Sequence, residues 1–490
     1  MAVMSQKFDN LIDGQWVAGE EWSRNVNPSD TEEVVGEFAV ATPQQVEAAI
    51  TAARRAFPGW SALHCQSRAD ILLRCAHALR SDSERLGKLL SCEEGRPVRE
   101  AVGEVIRSAQ IFEFFAGEVV RTGGEIFPST RPGAEIYVTR EPLGVIGMIT
   151  PWNVPSAIPA WKIAPALAYG NCVVIKPAEL VPASAWELCR ILTESGLASG
   201  VLNLVMGAGR IVGEALLRST DIDAISFTGS VTTGKHVAAL AVQSHKKVQC
   251  EMGGKNPLIV LDDADLELAV DVAIDGGFFW TGQRCTASSR LLVQDGIHDR
   301  FVARMLEKMA AIRIDHALKP GTQIGPVVDE RQLQQNLRYV DIAREEGGEV
   351  HGGELLRRER PGHYMAPALI LNTENHWRIN REEVFGPVVS VIRVRDYEQA
   401  LAAANDTDYG LSSGICTNSL AASSHFRRHS RAGVVAVNLT TTGSEYHVAF
   451  GGRKASSYGS REQGRYAMDF YTAIKTSYVR AADPARQGGR

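Results

Sequence analysis

Between residues 144 and 241, short wholly apolar segments alternate with segments of helical spacing, and this regularity constrains the fold more than any other feature of the chain. Residues 144–149, 172–175, 202–205 and 224–227 read as strands, and 157–168, 183–195, 211–217 and 234–241 as helices. A strand with no polar alternation is buried on both faces, and crossover helices on both sides of a parallel sheet are what bury it. The predicted fold class is therefore α/β, with a doubly wound parallel sheet. Such sheets bind ligands beyond the carboxyl ends of their strands, which is where Asn153, Lys176, Glu179, Gly207 and Gly229 fall.

A chain of 490 residues is too long for one ordinary core. A second, less regular alternation supplies the other: strands at 257–261, 290–293, 368–371, 386–393 and 433–438, with helices at 266–279, 300–311, 332–345 and 397–404. Small strands are expected over 8–40 and helices from 43 to about 120, the last over 98–120. A Gly- and Pro-rich excursion over 123–137 leads into a strand at 136–141, and the tail 481–490 is expected to fray. The net charge of −5 gives no electrostatic reason to expect nucleic acid or an anionic membrane as partner. The eight cysteines form no Cys-x-x-Cys pair, so neither a metal site nor a disulfide framework is expected, and a reducing, cytoplasmic setting is. No signal core and no apolar run of membrane-spanning length is present.

The chemistry concentrates between Cys250 and Arg290. Glu251 closes a strand against Gly253 and Gly254, and Cys285 sits in a polar turn, Gly282-Gln283-Arg284-Cys285-Thr286, after an apolar helix. A thiol and a carboxylate on neighbouring elements suit covalent catalysis. The Arg284 cation and helix-end amides are expected to lower the thiol pKa. Asn153, between Pro151 and Pro155, is a rigid amide of the kind that can stabilise an oxyanion. Alone, each has a plainer reading: a small core cysteine, a turn asparagine. Two glycine turns open helices, Gly207-Ala208-Gly209 through Gly213 and Phe227-Thr228-Gly229-Ser230 with Gly234. The first is one residue too long for the usual dinucleotide fingerprint, but amides at such helix starts can hold a pyrophosphate. Lys176 and Glu179 could bond ribose hydroxyls or simply pair with each other, and Arg107 inside an apolar-faced helix reads as a solvated side chain.

Taken together, Pro151-Trp152-Asn153, Lys176-Pro177-Ala178-Glu179, Phe227-Thr228-Gly229-Ser230, Glu251 through Pro257, Gly282-Gln283-Arg284-Cys285, Glu383-Val384-Phe385-Gly386-Pro387 and Phe450-Gly451-Gly452-Arg453-Lys454 resemble, in order, the motifs of the aldehyde dehydrogenase superfamily. The resemblance spans about residues 10–480. It implies an NAD-dependent enzyme (NADP being possible) that oxidises an aldehyde to the free acid and has no metal in its site. Cys285 would be the nucleophile, Asn153 with the Cys285 N–H the oxyanion site, and Glu251 the base that hydrolyses the thioester. Lys176 and Glu179 would hold the adenosine ribose, with Trp152, Ser230, Gly209, Gly213, Phe227, Gly229 and Gly253 around the rest of the dinucleotide. Glu383 would hold the nicotinamide ribose and Phe385 back the ring. It also implies a dinucleotide-binding domain from 1–121 and 142–249, a catalytic domain at 250–467, and a β oligomerisation element from 122–141 and 468–490 that builds a homodimer or homotetramer.

Within that family, residues 158–165, Arg284 through Ser289, Ser456-Ser457-Tyr458-Gly459 and Arg461 through Tyr466 are similar to α-ketoglutaric semialdehyde (2,5-dioxopentanoate) dehydrogenases. Such a substrate carries a carboxylate. The resemblance implies that Arg107, Ser108, Val154, Trp161 and Phe450 face the substrate tunnel, with Arg107 and Arg284 as carboxylate donors or Arg284 as support. Trp161, Trp280 and Phe450 would equally suit an apolar or aromatic aldehyde, and a catalytically silent binding protein is the reading from another class.

Overall fold

The computed structural model describes residues 6–481; the expected fraying of 482–490 falls outside the described residues. The apolar segments of the first half form the middle of an eight-stranded sheet in the order Ser457–Tyr458, Lys247–Glu251, Ala224–Thr228, Val145–Ile149, Cys172–Lys176, Leu202–Leu204, Asn10–Ile12, Gln15–Val17. The five strands from Lys247–Glu251 to Leu202–Leu204 are parallel, and the flanking pairs are antiparallel. Succession runs outward one way from Val145–Ile149, then returns to its other side at Ala224–Thr228. The topological switch point, where ligands bind in such sheets, therefore lies between those two strands. The helix Ala157–Ala168 has no polar face to offer, and every one of its residues is buried between this sheet and the long helix Val98–Glu118.

The second sheet has seven strands in the order Glu349–Gly352, Ala368–Leu371, Val388–Val394, Ser288–Gln294, Asn256–Val260, Ser412–Cys416, Val434–Val437. All are parallel except Glu349–Gly352. Two features escape sequence patterning here. Ser412–Cys416 is no apolar run, because Gly414 lets the neighbouring Leu258 side chain pack where a Cβ would stand. The helix Leu420–His429 that follows buries only Phe426. In the first half, the helix expected over 211–217 is instead a wide π turn at Gly209–Gly213 followed by the short helix Glu214–Arg218, glycines bounding the wider turn.

A three-stranded sheet, Thr472–Arg480, Ala134–Pro142, Glu125–Pro128, stands apart and leaves Ile126, Ile474 and Tyr478 exposed. No helix among the described residues is long and apolar enough to cross a membrane.

One buried cation ties the second sheet together. Arg290, fully buried on Ser288–Gln294, donates from Nε to the Lys255 carbonyl at 3.1 Å, and from its other nitrogens to Asn375 Oδ1 at 2.9 Å and the Ala403 and Ala404 carbonyls at 3.0 and 3.2 Å. Its removal strands the buried Lys255 and Ala404 carbonyls away from water. Arg290→Ala is expected to lose about 3 kcal/mol or more of stability, at roughly 1–3 kcal/mol per unsatisfied acceptor, as measured by urea unfolding.

Candidate active site

The two parallel sheets meet almost end to end. Lys247–Glu251 closes the first and Asn256–Val260 opens the second, with only Met252-Gly253-Gly254-Lys255 between. The carboxyl ends of one sheet thus face the amino ends of the other. A cavity of about 600 Å³ lies at this junction. Its wall takes Trp152, Asn153, Gly229 and Ser230 from the switch point, and Gly253, Cys285, Glu383 and Phe385 from the second sheet.

Cys285 reaches that wall through an unusual backbone. Trp280, Thr281 and Gly282 are all left-handed, with φ of 57°, 56° and 63°, and a Cβ on Gly282 would collide with the Gly386 carbonyl. Two non-glycine residues in that region are strained, a condition that persists only where the surroundings impose it. Beyond the turn, Asn256 Nδ2 donates to the Cys285 and Ala287 carbonyls at 2.8 and 2.9 Å. Asn256, which sequence reasoning passed over inside Gly-Gly-Lys-Asn-Pro, therefore anchors the cysteine loop. The Asn153 amide donates to the Gln283 carbonyl at 3.0 Å, which brings it beside the same loop with its second N–H to spare.

The electrostatics of the thiol correct the sequence expectation. Burial, then the carboxylates of Glu383 and Glu251, push Cys285 up to about 12, while the Cys285 and Thr286 backbone N–H groups pull the other way. The cation expected to lower it is aimed elsewhere: Arg284 donates to the Asp275 carbonyl and lies over the Trp280 ring at 5.2 Å. Arg284 therefore faces the preceding helix, Leu266–Phe278, rather than the thiol or the cavity.

Glu251 is buried. Burial, then the Glu462 carboxylate, hold its carboxyl well above the usual range; the hydrogen bond from Ser457 and the charges of Lys162 and Arg461 oppose this. Its Oε2 accepts from Ser457 Oγ at 2.5 Å, and its Oε1 has no protein partner. Behind it, Lys162 pairs with Glu462 and donates to Ser226 Oγ at 2.7 Å. Lys162, Ser457 and Glu462 were not singled out as site residues in sequence. A lysine in an otherwise apolar helix was the available signal for Lys162, since a buried charge requires a partner.

The expected cofactor residues gather at the strand ends. Lys176 and Glu179 do not pair. Lys176 Nζ donates to the Pro177 and Gly207 carbonyls at 2.5 and 3.1 Å, and exposed Glu179 accepts from Gly209 N at 3.2 Å. Neither lines the cavity, nor do Gly209 and Gly213, which form the π turn. Ser230 caps the helix Val231–Gln243, whose first residues do line it. A Cβ on Gly229 would strike the buried Phe227 ring, and one on Gly253 the Glu383 carboxylate. Glu383 accepts from Gly254 N at 2.8 Å, and burial raises it to about 7. Phe385, at φ 62°, sets its ring edge-on to Trp152 at 5.2 Å. A dinucleotide suits this wall: Thr228 Oγ1 is buried at it without a partner, and the helix start offers free amides.

The expected tunnel residues lie off this cavity. Trp161 and Phe450 stack at 5.6 Å, and Val154 packs on the first core. Ser108 is a correction, because its fully buried hydroxyl is spent on Ser156 Oγ at 2.8 Å and the Glu104 carbonyl at 3.2 Å. Arg107 is half-exposed over Tyr446 at 5.5 Å, and its Nη1 makes no hydrogen bond but lies 3.8 Å from Glu445 Oε2. Trp280, offered above as an apolar wall, has Arg96 at 3.8 Å and Arg284 at 5.2 Å over its ring.

Comparison with known proteins gives one consistent answer. The model of the "Aldehyde dehydrogenase family" matches residues 16–477. The chain is 41% identical over 487 residues to alpha-ketoglutaric semialdehyde dehydrogenase of Bacillus subtilis, covering 98% of this chain and 100% of that one. It is 42% identical to alpha-ketoglutarate semialdehyde dehydrogenase of Haloferax volcanii, over 97% of this chain and 99% of that one. Among solved structures, betaine aldehyde dehydrogenase of Staphylococcus aureus in complex with NAD+ superposes with a TM-score of 0.94 at 34% identity, covering 96% and 95% of the two chains.

If Glu383 and Glu251 hold the thiol protonated, removing one charge should release it. Iodoacetamide alkylation of Cys285, corrected with Cys285→Ser, is expected to climb with pH without a plateau below pH 10, roughly two units short of a thiol at about 12. In Glu383→Gln it should run roughly three- to tenfold faster at pH 8, a shift of about half to one unit.

Proposed function

The chain belongs to the aldehyde dehydrogenase family, and from that premise we propose that it oxidises α-ketoglutaric semialdehyde (2,5-dioxopentanoate) to 2-oxoglutarate with NAD. The observation that carries the reading is the convergence of Asn153, Cys285 and Glu383 on one cavity wall at the switch point, with the buried Glu251 close enough to raise the thiol. When bound, NAD would supply the hydride acceptor, and Glu383 would hold its nicotinamide ribose. Glu179 favours NAD over NADP, since a carboxylate there repels a 2′-phosphate.

The chain's own groups divide the work. The Cys285 thiolate adds to the aldehyde carbon, and the Asn153 amide with the Cys285 backbone N–H receives the charge that moves to oxygen. As the carbon loses hydride, its oxygen regains the carbonyl and a thioester remains on Cys285. Glu251 then takes a proton from water, whose oxygen attacks the thioester, the carbon–sulfur bond breaks, and the acid leaves. A raised pKa makes Glu251 a better base than a free carboxylate, and Lys162 with Glu462 supports its proton balance from behind. The exposed apolar residues of the three-stranded sheet and the free edge at Val434–Val437 support self-association as a dimer or tetramer.

Arg107 is the proposed reader of the substrate carboxylate: its Nη1 makes no hydrogen bond, and its only carboxylate neighbour among the described residues is the exposed Glu445 at 3.8 Å, a loose pair that a substrate carboxylate can replace. Arg107→Leu should raise KM for 2,5-dioxopentanoate about tenfold or more while leaving that for butanal within about twofold, the size of one charged hydrogen bond. An equal change for both aldehydes would remove Arg107 from recognition.

Glu251→Gln should keep a full first turnover of NADH but slow the steady state by roughly 10²- to 10⁴-fold, the scale of general-base catalysis. Since the base form is needed and its pKa is raised, wild-type steady-state turnover should rise with pH above the ordinary carboxylate range. The variant should lose that dependence. Stopped-flow absorbance at the NADH band reads both.

A further inference from the structure

Arg96 joins the helices Ser83–Glu94 and Val98–Glu118, far in sequence from every motif above, and its guanidinium is 1% exposed. Two of its nitrogens hydrogen-bond, and the third is held only by charge. Nη2 donates to the Asn153 backbone carbonyl, Nη1 donates to Glu104 Oε2, and Nε lies 3.3 Å from Glu94 Oε2. Its flat face lies 3.8 Å over the Trp280 ring. The other oxygen of Glu104 accepts from Ser156 N and Ala157 N at 2.7 and 2.9 Å, so the same ion pair fixes the end of the Asn153 loop.

We propose that Arg96 is a positioning residue that clamps the Asn153 loop and the left-handed turn before Cys285 to one another, setting the distance between oxyanion donor and nucleophile. The clamp rests on the roles proposed above for Asn153 and Cys285. Asn153 is held from both ends, its carbonyl by Arg96 and its amide by the Gln283 carbonyl. The turn is strained backbone, with Trp280 and Thr281 both at positive φ. The Arg96 guanidinium lies nearer the Trp280 ring than that of Arg284, 3.8 against 5.2 Å, and Thr281 Oγ1 donates to the Gly325 carbonyl at 3.2 Å. Lysine could keep the charge but has neither the fork nor the plane. A donor displaced by about 1 Å costs on the order of 10²-fold in rate, so a clamp here acts on chemistry without touching substrate.

The test uses Arg96→Lys, Trp280→Leu and Asn153→Ala in the full-length enzyme with NAD and 2,5-dioxopentanoate. The rate of the first NADH turnover is read by rapid mixing and normalised to thiol titrated at Cys285. Arg96→Lys should slow it roughly 30- to 100-fold and Trp280→Leu about tenfold. KM for NAD and the rate of Cys285 alkylation should stay within about threefold in both. A merely structural role would lower the folded fraction but leave the rate per titrated thiol unchanged. That result, with Asn153→Ala slow, overturns the clamp. Should Arg96→Lys not fold, Trp280→Leu, which spares the ion pairs, decides alone. Wild-type rate in Asn153→Ala would instead overturn the oxyanion role on which the clamp depends.

Discussion

The structure depends on a join of four residues, Met252-Gly253-Gly254-Lys255, that turns the end of one parallel sheet into the start of another. Its shortness forces the carboxyl ends of the first sheet against the amino ends of the second. A ligand at the first sheet's switch point is thereby brought under residues that introduce the second sheet's strands. The two glycines are sterically required: a Cβ on Gly253 would enter the Glu383 carboxylate, and one on Gly254 would press on the Asn256 side chain and the Cys285 carbonyl. Asn256, next in the chain, then spends its whole amide on the site, donating to the Cys285 loop and accepting from Ser412 N at 3.0 Å. Fold and site are thus specified by the same short peptide.

How much of this could be read from sequence follows from how local each determinant is. The strands from Val145–Ile149 to Ala224–Thr228 were legible because burial on both faces leaves an unbroken apolar run. Ser412–Cys416 was not, because its burial is achieved by small residues against a specific neighbour. Cys285, Asn153 and Glu251 stood out because their flanking glycines and prolines mark turns. The direction of a side chain leaves no such mark. Arg284 is adjacent to the nucleophile in sequence yet faces Asp275 and Trp280, and Ser108 adjoins Arg107 yet is buried against Ser156. Lys162 and Glu462 are 300 positions apart, and only the folded chain shows that they pair.

Burial acts on Glu251 and Cys285 in ways that first look opposed. It raises Glu251, making a stronger base, and it raises Cys285, making a weaker acid. Each group is also raised by a like charge: Glu251 by Glu462, and Cys285 by Glu383 and Glu251. Like charges this close resist being ionised together.

The proposed reaction uses them in turn, which removes the conflict. During addition the sulfur carries the charge, and burial with the Glu462 carboxylate disfavours a second charge on Glu251. Once the thioester forms, the sulfur is neutral and can no longer oppose ionisation of Glu251. Burial and the Glu462 carboxylate still raise Glu251 at that point, so it acts on water as a stronger base than a free carboxylate. With Glu383 held near 7 by burial and bonded to Gly254 N, a cation brought into the cavity lowers the thiol by the same Coulombic coupling through which the carboxylates raise it. Mutual repulsion among buried anions can thus order the sequence of events without any large movement of the chain.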